Sequence, residues 1–511
     1  MTSKVYSAAI IGIKAQPIEV EVDLGSGLHS FNIVGLADKA ITEAKDRVSS
    51  AIKNSGASPP QKQNRRITVN LAPADLKKEG SVYDLAIAIG YLLASKQIRN
   101  FVSDDKIFLG ELALDGAIRP VPGVLPAALM AKEKKFPYLI VAKANLKEAS
   151  VVRGLKVIGV ERLGDLIEYL EAKKEIPLAP ELSLQELKEA DYPLDFCEVK
   201  GQEQAKRALE IAAAGGHNIL MIGSPGSGKT MLAKALPSIL GEMSLEEALE
   251  VSQIYSVCGL IPENQPLICL RPFRAPHHTA SKIALVGGGS WPRPGEISLA
   301  HRGVLFLDEI AEFPRTVLES LRQPLEDGVI TVSRAQGSVT FPAKFILVAA
   351  MNPCPCGYYG DPEKECKCSP SEILKYQKRL SGPLLDRLDI QIELPRVKYE
   401  ELKDNKKGEN SQEIRERLNR MRLVQENRFK KLGRTIFTNS EMTSSEVEKL
   451  CPLDSAAESL LKKAIEEWYL SARAYYKILK VSRTIADLAG EEKINSNHLA
   501  EALRYRIKSE Q

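Results

Sequence analysis

Gly223-Ser224-Pro225-Gly226-Ser227-Gly228-Lys229-Thr230 is the stretch on which the reading of this 511-residue chain turns. It satisfies the pattern G-x-x-x-x-G-K-[ST] at every fixed position. Its flanks fit as well. An apolar strand over Ile219–Ile222 runs into it, and an amphipathic helix over Met231–Leu240 runs out. In such a loop the glycines let backbone N–H groups curl around phosphate oxygens, and the helix N-terminus adds partial positive charge. Lys229 can reach the β- and γ-phosphates, and the Thr230 hydroxyl can ligate Mg²⁺. A glycine-rich turn before an ordinary helix is the plain alternative, and the strand–loop–helix setting argues against it. A nucleoside triphosphate is the expected ligand.

Three more stretches extend this reading. Val304-Leu305-Phe306-Leu307-Asp308-Glu309 is an apolar strand that ends in two acids. Asp308 is placed to hold Mg²⁺, directly or through water, and Glu309 to polarise an attacking water. Phe345–Ala350 reads as a buried strand followed by Met351-Asn352-Pro353. Asn352 can position water or sense a γ-phosphate there; it can also simply cap a turn before proline. Arg387 lies between acids in Ser381-Gly382-Pro383-Leu384-Leu385-Asp386-Arg387-Leu388-Asp389. It can form a structural ion pair, or it can reach the γ-phosphate of a neighbouring subunit and stabilise transition-state charge. Spacing alone leaves both roles open.

Composition sets the outer bounds. An apolar fraction of 44% and a charged fraction of 27% are those of ordinary globular protein. The length suits roughly two to four domains. A net charge of +4 does not by itself imply a nucleic-acid partner, so any basic surface has to be local. No apolar run approaches the roughly 18 residues of a membrane span. The first residues do not read as a signal peptide, so a cytoplasmic location with no membrane partner is expected.

Residues 1–170 alternate strand and helix patterns. Val5–Gly12, Ile18–Leu24, Ser30–Val34 and Arg66–Leu71 read as strands, and Ala40–Ser55 and Tyr83–Leu93 as helices. Residues 171–195 are charged and hold Pro177, Pro180 and Pro193, a linker composition. Residues 196–400 alternate strands and helices around the phosphate loop, the pattern of an α/β domain on a mostly parallel sheet. Helical spacing dominates 401–511, in Ser411–Lys431, Ala456–Tyr469, Ala472–Leu488 and Ser496–Ile507. Within the α/β block, Val329–Ser333 and Ser338–Phe341 alternate about a tip at Arg334-Ala335-Gln336-Gly337, as a β-hairpin requires.

The cysteines divide into two groups. Cys197, Cys258, Cys269 and Cys451 are scattered, as buried apolar cysteines usually are. Cys354, Cys356, Cys366 and Cys368 are clustered about the turn-rich Gly357–Pro362. Four thiolates so placed can close around a structural Zn²⁺; four free thiols or redox-labile pairs are the alternatives. The paired His277-His278 also invites a metal reading. Adjacent residues on an extended segment point opposite ways, so a structural or pore role is expected instead.

The run from Gly223 to Arg387 resembles an AAA+ ATPase of the helix-2-insert branch, which includes magnesium-chelatase ATPase subunits and MCM helicases. The chain is more closely similar to the magnesium-chelatase-like YifB/ComM family. The stretches that carry this likeness are Arg271-Pro272-Phe273-Arg274-Ala275-Pro276-His277-His278-Thr279-Ala280-Ser281, Pro292–His301, Leu321-Arg322-Gln323-Pro324-Leu325-Glu326, Ser381–Asp389 and Leu470-Ser471-Ala472-Arg473-Ala474. The resemblance implies an AAA+ P-loop core with a helical lid and ATP and Mg²⁺ as ligands. It implies Asn352 as sensor 1, Arg387 as an arginine finger acting in trans and Arg473 as sensor 2. A finger in trans implies a homo-hexameric ring. In similar rings the helix-2 insert and the hairpin face the pore, which makes Arg274, Lys282, Arg293 and Arg334 candidate DNA contacts; solvent or intersubunit contacts are their ordinary alternative. The implied activity is a helicase or branch-migration motor on single-stranded or branched DNA, in recombination of incoming DNA during natural transformation. A chelatase-type motor or a protein remodeller is the other reading.

The first block resembles the α+β Lon-protease-like (S5 domain 2-like) domain. Lys78–Asp84 and Gly110–Gly123 carry that likeness. The Ser and Lys positions of the Lon dyad fall on Val82 and Leu125, which supply neither nucleophile nor base. A non-proteolytic scaffold is expected.

Overall fold

The computed structural model describes residues 2–36, 38–62, 64–180, 192–262, 265–289, 292–334, 337–397, 403, 408–430 and 436–506. Most of the expected linker (181–191) and the hairpin tip at 335 and 336 lie outside the described residues, as do 431 and 507 at two expected helix ends. The chain forms two compact units, Met1–Glu189 with Leu245–Cys269, and Ala190–Ser244 with Leu270–Gln511. Leu245–Cys269, expected within the α/β block, therefore folds with the first unit.

The first unit is built on a seven-stranded mixed sheet. Thr2–Ile11 and Lys14–Ser26 form an antiparallel hairpin. Lys14–Ser26 pairs antiparallel with Arg65–Ala72, beside which Ser30–Val34 runs parallel. On the other side, Lys106–Phe108, Tyr138–Ala142 and Lys156–Val160 continue in parallel from Thr2–Ile11. Because side chains alternate along a strand, the sheet separates two cores. Val5, Ala9, Phe108, Ile140 and Ile158 join one, with helices Lys39–Asn54 and Asp84–Ala94. Ala8, Ile107, Leu139 and Val157 join the other, with helix Val124–Glu133.

Helix Leu245–Val257 completes the second core, where Leu249 packs. Its end is fixed by polar bonds. Ser256 Oγ donates to Glu148 Oε1 at 2.5 Å, and the Ser256 carbonyl accepts the Gly123 N–H at 2.9 Å. The same Glu148 oxygen accepts the Leu125 N–H at 3.0 Å. Burial pushes the Glu148 carboxyl up, against the pull of these donors. Leu125 is thus fully buried in a packed helix, Val82 lies against the same core, and Ser81 Oγ donates to the Glu111 carboxylate. A Ser–Lys pair is not assembled here.

The second unit carries a five-stranded parallel sheet, in the order Phe273–Arg274, Val304–Leu307, Ile346–Met351, Ile219–Gly223 and Ile390–Leu394. Parallel strands covered on both faces need continuous apolar runs, and Ile346–Met351 is buried at every position. The chain runs from the phosphate-loop strand to one side of the sheet and returns to the other. Strand order reverses there, so a crevice opens beyond the strands' C-terminal ends.

Helices Ser411–Lys430, Ser444–Leu450, Ser455–Trp468, Ala472–Ala489 and Ser496–Arg504 make the helical part. Ile414, Leu418, Ile478 and Leu499 share one core with Ile219 and Val348. A buried ion pair reinforces the junction, with Lys477 Nζ 2.5 Å from Asp389 Oδ1. Burial alone would raise the Asp389 carboxyl, but Lys477 and His217 hold it far below the usual carboxylate range. Arg271, 7% exposed, donates from Nε to the Gly241 carbonyl at 2.5 Å and from a terminal nitrogen to the Arg302 carbonyl at 2.7 Å. It fastens the two places where the chain leaves this unit and re-enters it. Among the described residues no helix is long and apolar enough to cross a membrane.

Asp84 in the first unit gives a pH test. It is 1% exposed, and burial raises its carboxyl to about 6 although Arg47 forks onto it at 2.7 and 3.0 Å. A carboxyl raised on folding keeps its proton where the unfolded chain has lost it, so stability falls as pH rises from about 4 to about 6. The cost to the folded unit between pH 4.5 and 7 is about 2 kcal/mol. Chemical denaturation of Asp84→Asn should show a stability difference from the parent that shifts in favour of the variant by that amount between the two pH values.

Candidate active site

Two different constraints select the loop glycines. Gly226 and Gly228 adopt φ of 83° and 92° with open space around a would-be Cβ, so backbone conformation alone requires glycine. Gly223 is selected by crowding: a Cβ would stand 2.7 Å from the Leu394 carbonyl oxygen and from Ser227 Oγ. Lys229 opens helix Lys229–Ile239 yet is only 9% exposed. Its Nζ donates to the carbonyls of Gly223 (2.6 Å) and Ser224 (3.0 Å) and to Asn352 Oδ1 (3.3 Å). Burial lowers its pKa, with Asp308 and Glu309 opposing that shift.

Thr230 Oγ1 donates to Asp308 Oδ2 at 2.8 Å. A hydroxyl and a carboxylate this close can share one divalent cation. Asp308 Oδ1 accepts the Glu309 N–H at 3.0 Å. Glu309 is left-handed, at φ 49° and ψ 45°. For a residue with a Cβ that conformation costs on the order of 1 kcal/mol and is characteristic of functional turns. Strands Ile219–Gly223, Val304–Leu307 and Ile346–Met351 thus bring Lys229, Thr230, Asp308 and Asn352 into one contact group.

The histidines depart from expectation. Their rings lie 4.0 Å apart instead of pointing opposite ways. The cause is a turn: the Ala280 N–H bonds the His277 carbonyl at 2.9 Å, and His277 Nδ1 meets Thr279 Oγ1 at 2.9 Å. His278 Nδ1 comes to 3.5 Å from Glu309 Oε2. His278 is therefore a neighbour of the acidic strand tip that the residue pattern did not reveal. Its signal lay in the pairing of Phe273–Arg274 with Val304–Leu305, which is a matter of topology.

Arg387 and Arg473 lie in a second cluster. Arg387 is 8% exposed and pairs with Glu326 Oε2 at 2.7 Å, while Arg473 pairs with Glu326 Oε1. Burial lowers the pKa of both guanidinium groups. Glu326 lies in a stretch quoted above for family likeness, and only the structure shows that it joins two arginines. Of the candidate DNA contacts, Arg274 forks onto Glu296 at 2.6 and 2.7 Å, so its charge is neutralised within the chain. Lys282, at the start of helix Lys282–Val286, and Arg293, within the short pair Gly287–Gly288 and Arg293–Pro294, are both exposed. The hairpin Val329–Arg334 with Gly337–Pro342 forms as expected, and the Arg334 side chain lies outside the described residues.

Cys354, Cys356, Cys366 and Cys368 present four sulfurs all within 4.8 Å of one another. Cys354 Sγ stands 3.4 Å from Cys356 Sγ and 3.7 Å from Cys366 Sγ, and the last two are 3.6 Å apart. A tetrahedron with metal–sulfur bonds of about 2.3 Å has edges of about 3.8 Å. The sulfurs therefore have the spacing of a metal cage. Backbone N–H groups of Tyr358 and Lys367 pull the Cys356 thiol down to about 6, whereas burial and the neighbouring sulfurs push the Cys366 and Cys368 thiols up.

Comparison with known proteins places these features. Residues 195–402 match the family described as magnesium chelatase, subunit ChlI; residues 20–145 match subunit ChlI of Mg-chelatase; and residues 408–506 match its C-terminal family. The chain is similar to Competence protein ComM of Haemophilus influenzae, with 47% identity over 98% of this chain and 97% of the relative. It is similar to YifB of Escherichia coli, with 44% identity over 99% and 97%.

The Glu326 cluster is testable on stability. Glu326→Ala should leave the Arg387 guanidinium without its carboxylate and lower the stability of the second unit by about 1–2 kcal/mol, the pair being partly solvated. Denaturant titration should locate that loss in the transition that exposes the helical part.

Proposed function

Because the chain belongs to the ComM/YifB family of magnesium-chelatase-like AAA+ ATPases, we propose that it is an ATP-driven motor acting on DNA as a hexameric ring. We assign it helicase or branch-migration work in the recombination of incoming DNA. The observation that carries the motor reading is the meeting of Lys229, the Thr230–Asp308 pair and Asn352 at one sheet edge. In this reading Lys229 and the loop N–H groups bind the β- and γ-phosphates. Thr230 and Asp308 hold Mg²⁺, which screens phosphate charge. Glu309 orients the attacking water and takes its proton. Arg387 of one subunit addresses the nucleotide of the next, and Arg473 links nucleotide state to the helical lid.

The DNA reading draws on the likeness to Competence protein ComM of Haemophilus influenzae and on exposed Lys282 and Arg293. Exposed cations on an insertion suit a polyanion, where each phosphate contact adds salt-dependent affinity. A chelatase-type or protein-remodelling motor is the alternative. We also assign Zn²⁺ to the four-cysteine cage, where it supplies a structural cross-link.

ATP turnover should be measured with and without single-stranded, duplex and branched DNA. Turnover should rise with DNA, and Glu309→Gln should lose about 100-fold or more while retaining ATP and DNA. Turnover indifferent to every DNA, with no DNA retained by Glu309→Gln, would exclude the DNA reading and favour the alternative. Elemental analysis of reduced, purified protein should give one zinc per chain; a background level would remove the zinc assignment.

A further inference from the structure

We propose that the four-cysteine loop braces the phosphate loop: Gly357 and Asp361 are positioning residues that set Pro225 and Ser224, and metal occupancy of the cage thereby governs nucleotide affinity. The metal clause rests on the zinc assignment above; the brace itself rests on contacts between described residues.

The cage follows Asn352 directly along the chain, at the tip of the strand beside the phosphate-loop strand. Gly357 is buried at φ 87°, and a Cβ there would stand 2.7 Å from Pro225 Cδ and 2.8 Å from Pro225 Cγ. Only a hydrogen atom fits between the two loops, so the cage backbone is a wall against the Pro225 ring. Asp361 is the second contact. Its Oδ2 is buried with no hydrogen-bond partner among the described residues, and the nearby Ser224 hydroxyl, with the Glu363 N–H, holds the carboxyl below the usual carboxylate range. Asp361 Oδ1 accepts the N–H groups of Glu363 (2.9 Å) and Lys364 (3.1 Å), which fixes the carboxylate within the cage loop.

Both contacts sit on turns of the cage loop, the Asp361 N–H bonding the Tyr358 carbonyl at 3.1 Å. The Gly357 N–H donates to the Cys354 carbonyl at 3.0 Å, and the Tyr359 N–H meets Cys354 Sγ at 3.3 Å. The contacts lead forward to phosphate chemistry, because the Ser224 carbonyl is an acceptor for Lys229 Nζ. Residues 357–368 contain no helix or strand. Their shape depends on their own turns and on whatever gathers the four sulfurs. Releasing the sulfurs frees the wall behind Pro225 and the carboxylate beside Ser224.

The test uses the full-length protein, with zinc content measured on every sample and affinity read from a fluorescent N-methylanthraniloyl-ADP with Mg²⁺. Gly357→Ala should keep its zinc and bind the nucleotide about tenfold more weakly, in the range seen for residues coupled by direct contact. Adding Pro225→Ala to Gly357→Ala removes the clashing ring and should recover the part of the loss due to the clash, leaving the part due to backbone strain at φ 87°; a general folding defect would show no such recovery. Asp361→Asn should weaken binding less, with zinc unchanged, and chelator-stripped parent protein should resemble Gly357→Ala. Zinc-loaded Gly357→Ala and Asp361→Asn that bind like the parent would overturn the brace and leave the zinc assignment standing. A parent without zinc, in which Gly357→Ala still weakens binding and Pro225→Ala still rescues it, would overturn the metal clause alone.

Discussion

A buried ammonium group needs acceptors, and Lys229 takes them from its own loop and from the adjacent strand. The loop offers the Gly223 and Ser224 carbonyls and Ser227 Oγ, and the strand offers Asn352. Leaving such a charge unpaired would cost several kcal/mol. The ammonium therefore closes the loop on itself and ties it to the tip of Ile346–Met351. The glycine conformations, the crowding at Gly223 and the register between Ile219–Gly223 and Ile346–Met351 are conditions for that arrangement. Thr230 follows Lys229 by one residue, which places its hydroxyl on Asp308.

The second unit was legible in sequence where local pattern and chemistry coincide. Ile219–Gly223 and Val304–Leu307 are short apolar runs ending at residues with a chemical reason to sit at strand tips. The hairpin Val329–Arg334 with Gly337–Pro342 was legible from alternation alone. In the first unit the strands over 2–34 and 65–72 emerged for the same reason. Leu245–Cys269 did not. Its amphipathic helix is as good a match to any apolar face, and no local feature says that Ser256 will meet Glu148. Long-range placement also hid His278 beside Glu309 and Glu326 beside Arg387. The histidines were misread because a Thr two residues on makes a turn that strand periodicity does not anticipate. For Arg274, the likeness to pore-facing inserts gave no hint of the Glu296 fork that neutralises it.

Polar groups repeatedly lock places where the chain changes course. Arg271, beside the return of the excursion that contains Leu245–Cys269, bonds Gly241 beside its departure. Lys477 and Asp389 join the helical part to the end of the sheet. Each lock is directional and each partner is buried or largely so, so removing one member costs more than the pair contributes. Apolar burial gives the two units their cohesion; these bonds give particular loops their positions.

Glu326 puts a limit on how the proposed motor can work. One carboxylate serves both Arg387 and Arg473 in the isolated chain. Neither arginine can address a phosphate at full strength while it remains there. A γ-phosphate carries more charge than the carboxylate and offers more acceptor oxygens, so it can compete for a guanidinium without leaving that group unpaired. The exchange trades one anion for another, which keeps its energetic cost small. Once one arginine moves to nucleotide, Glu326 is left to the other. In the proposed ring, engagement of a neighbour's nucleotide by Arg387 then strengthens the hold of Glu326 on Arg473 and on the lid helix that carries it. In that proposed ring, two cations sharing one acid would couple the subunits without a large rearrangement of the sheet.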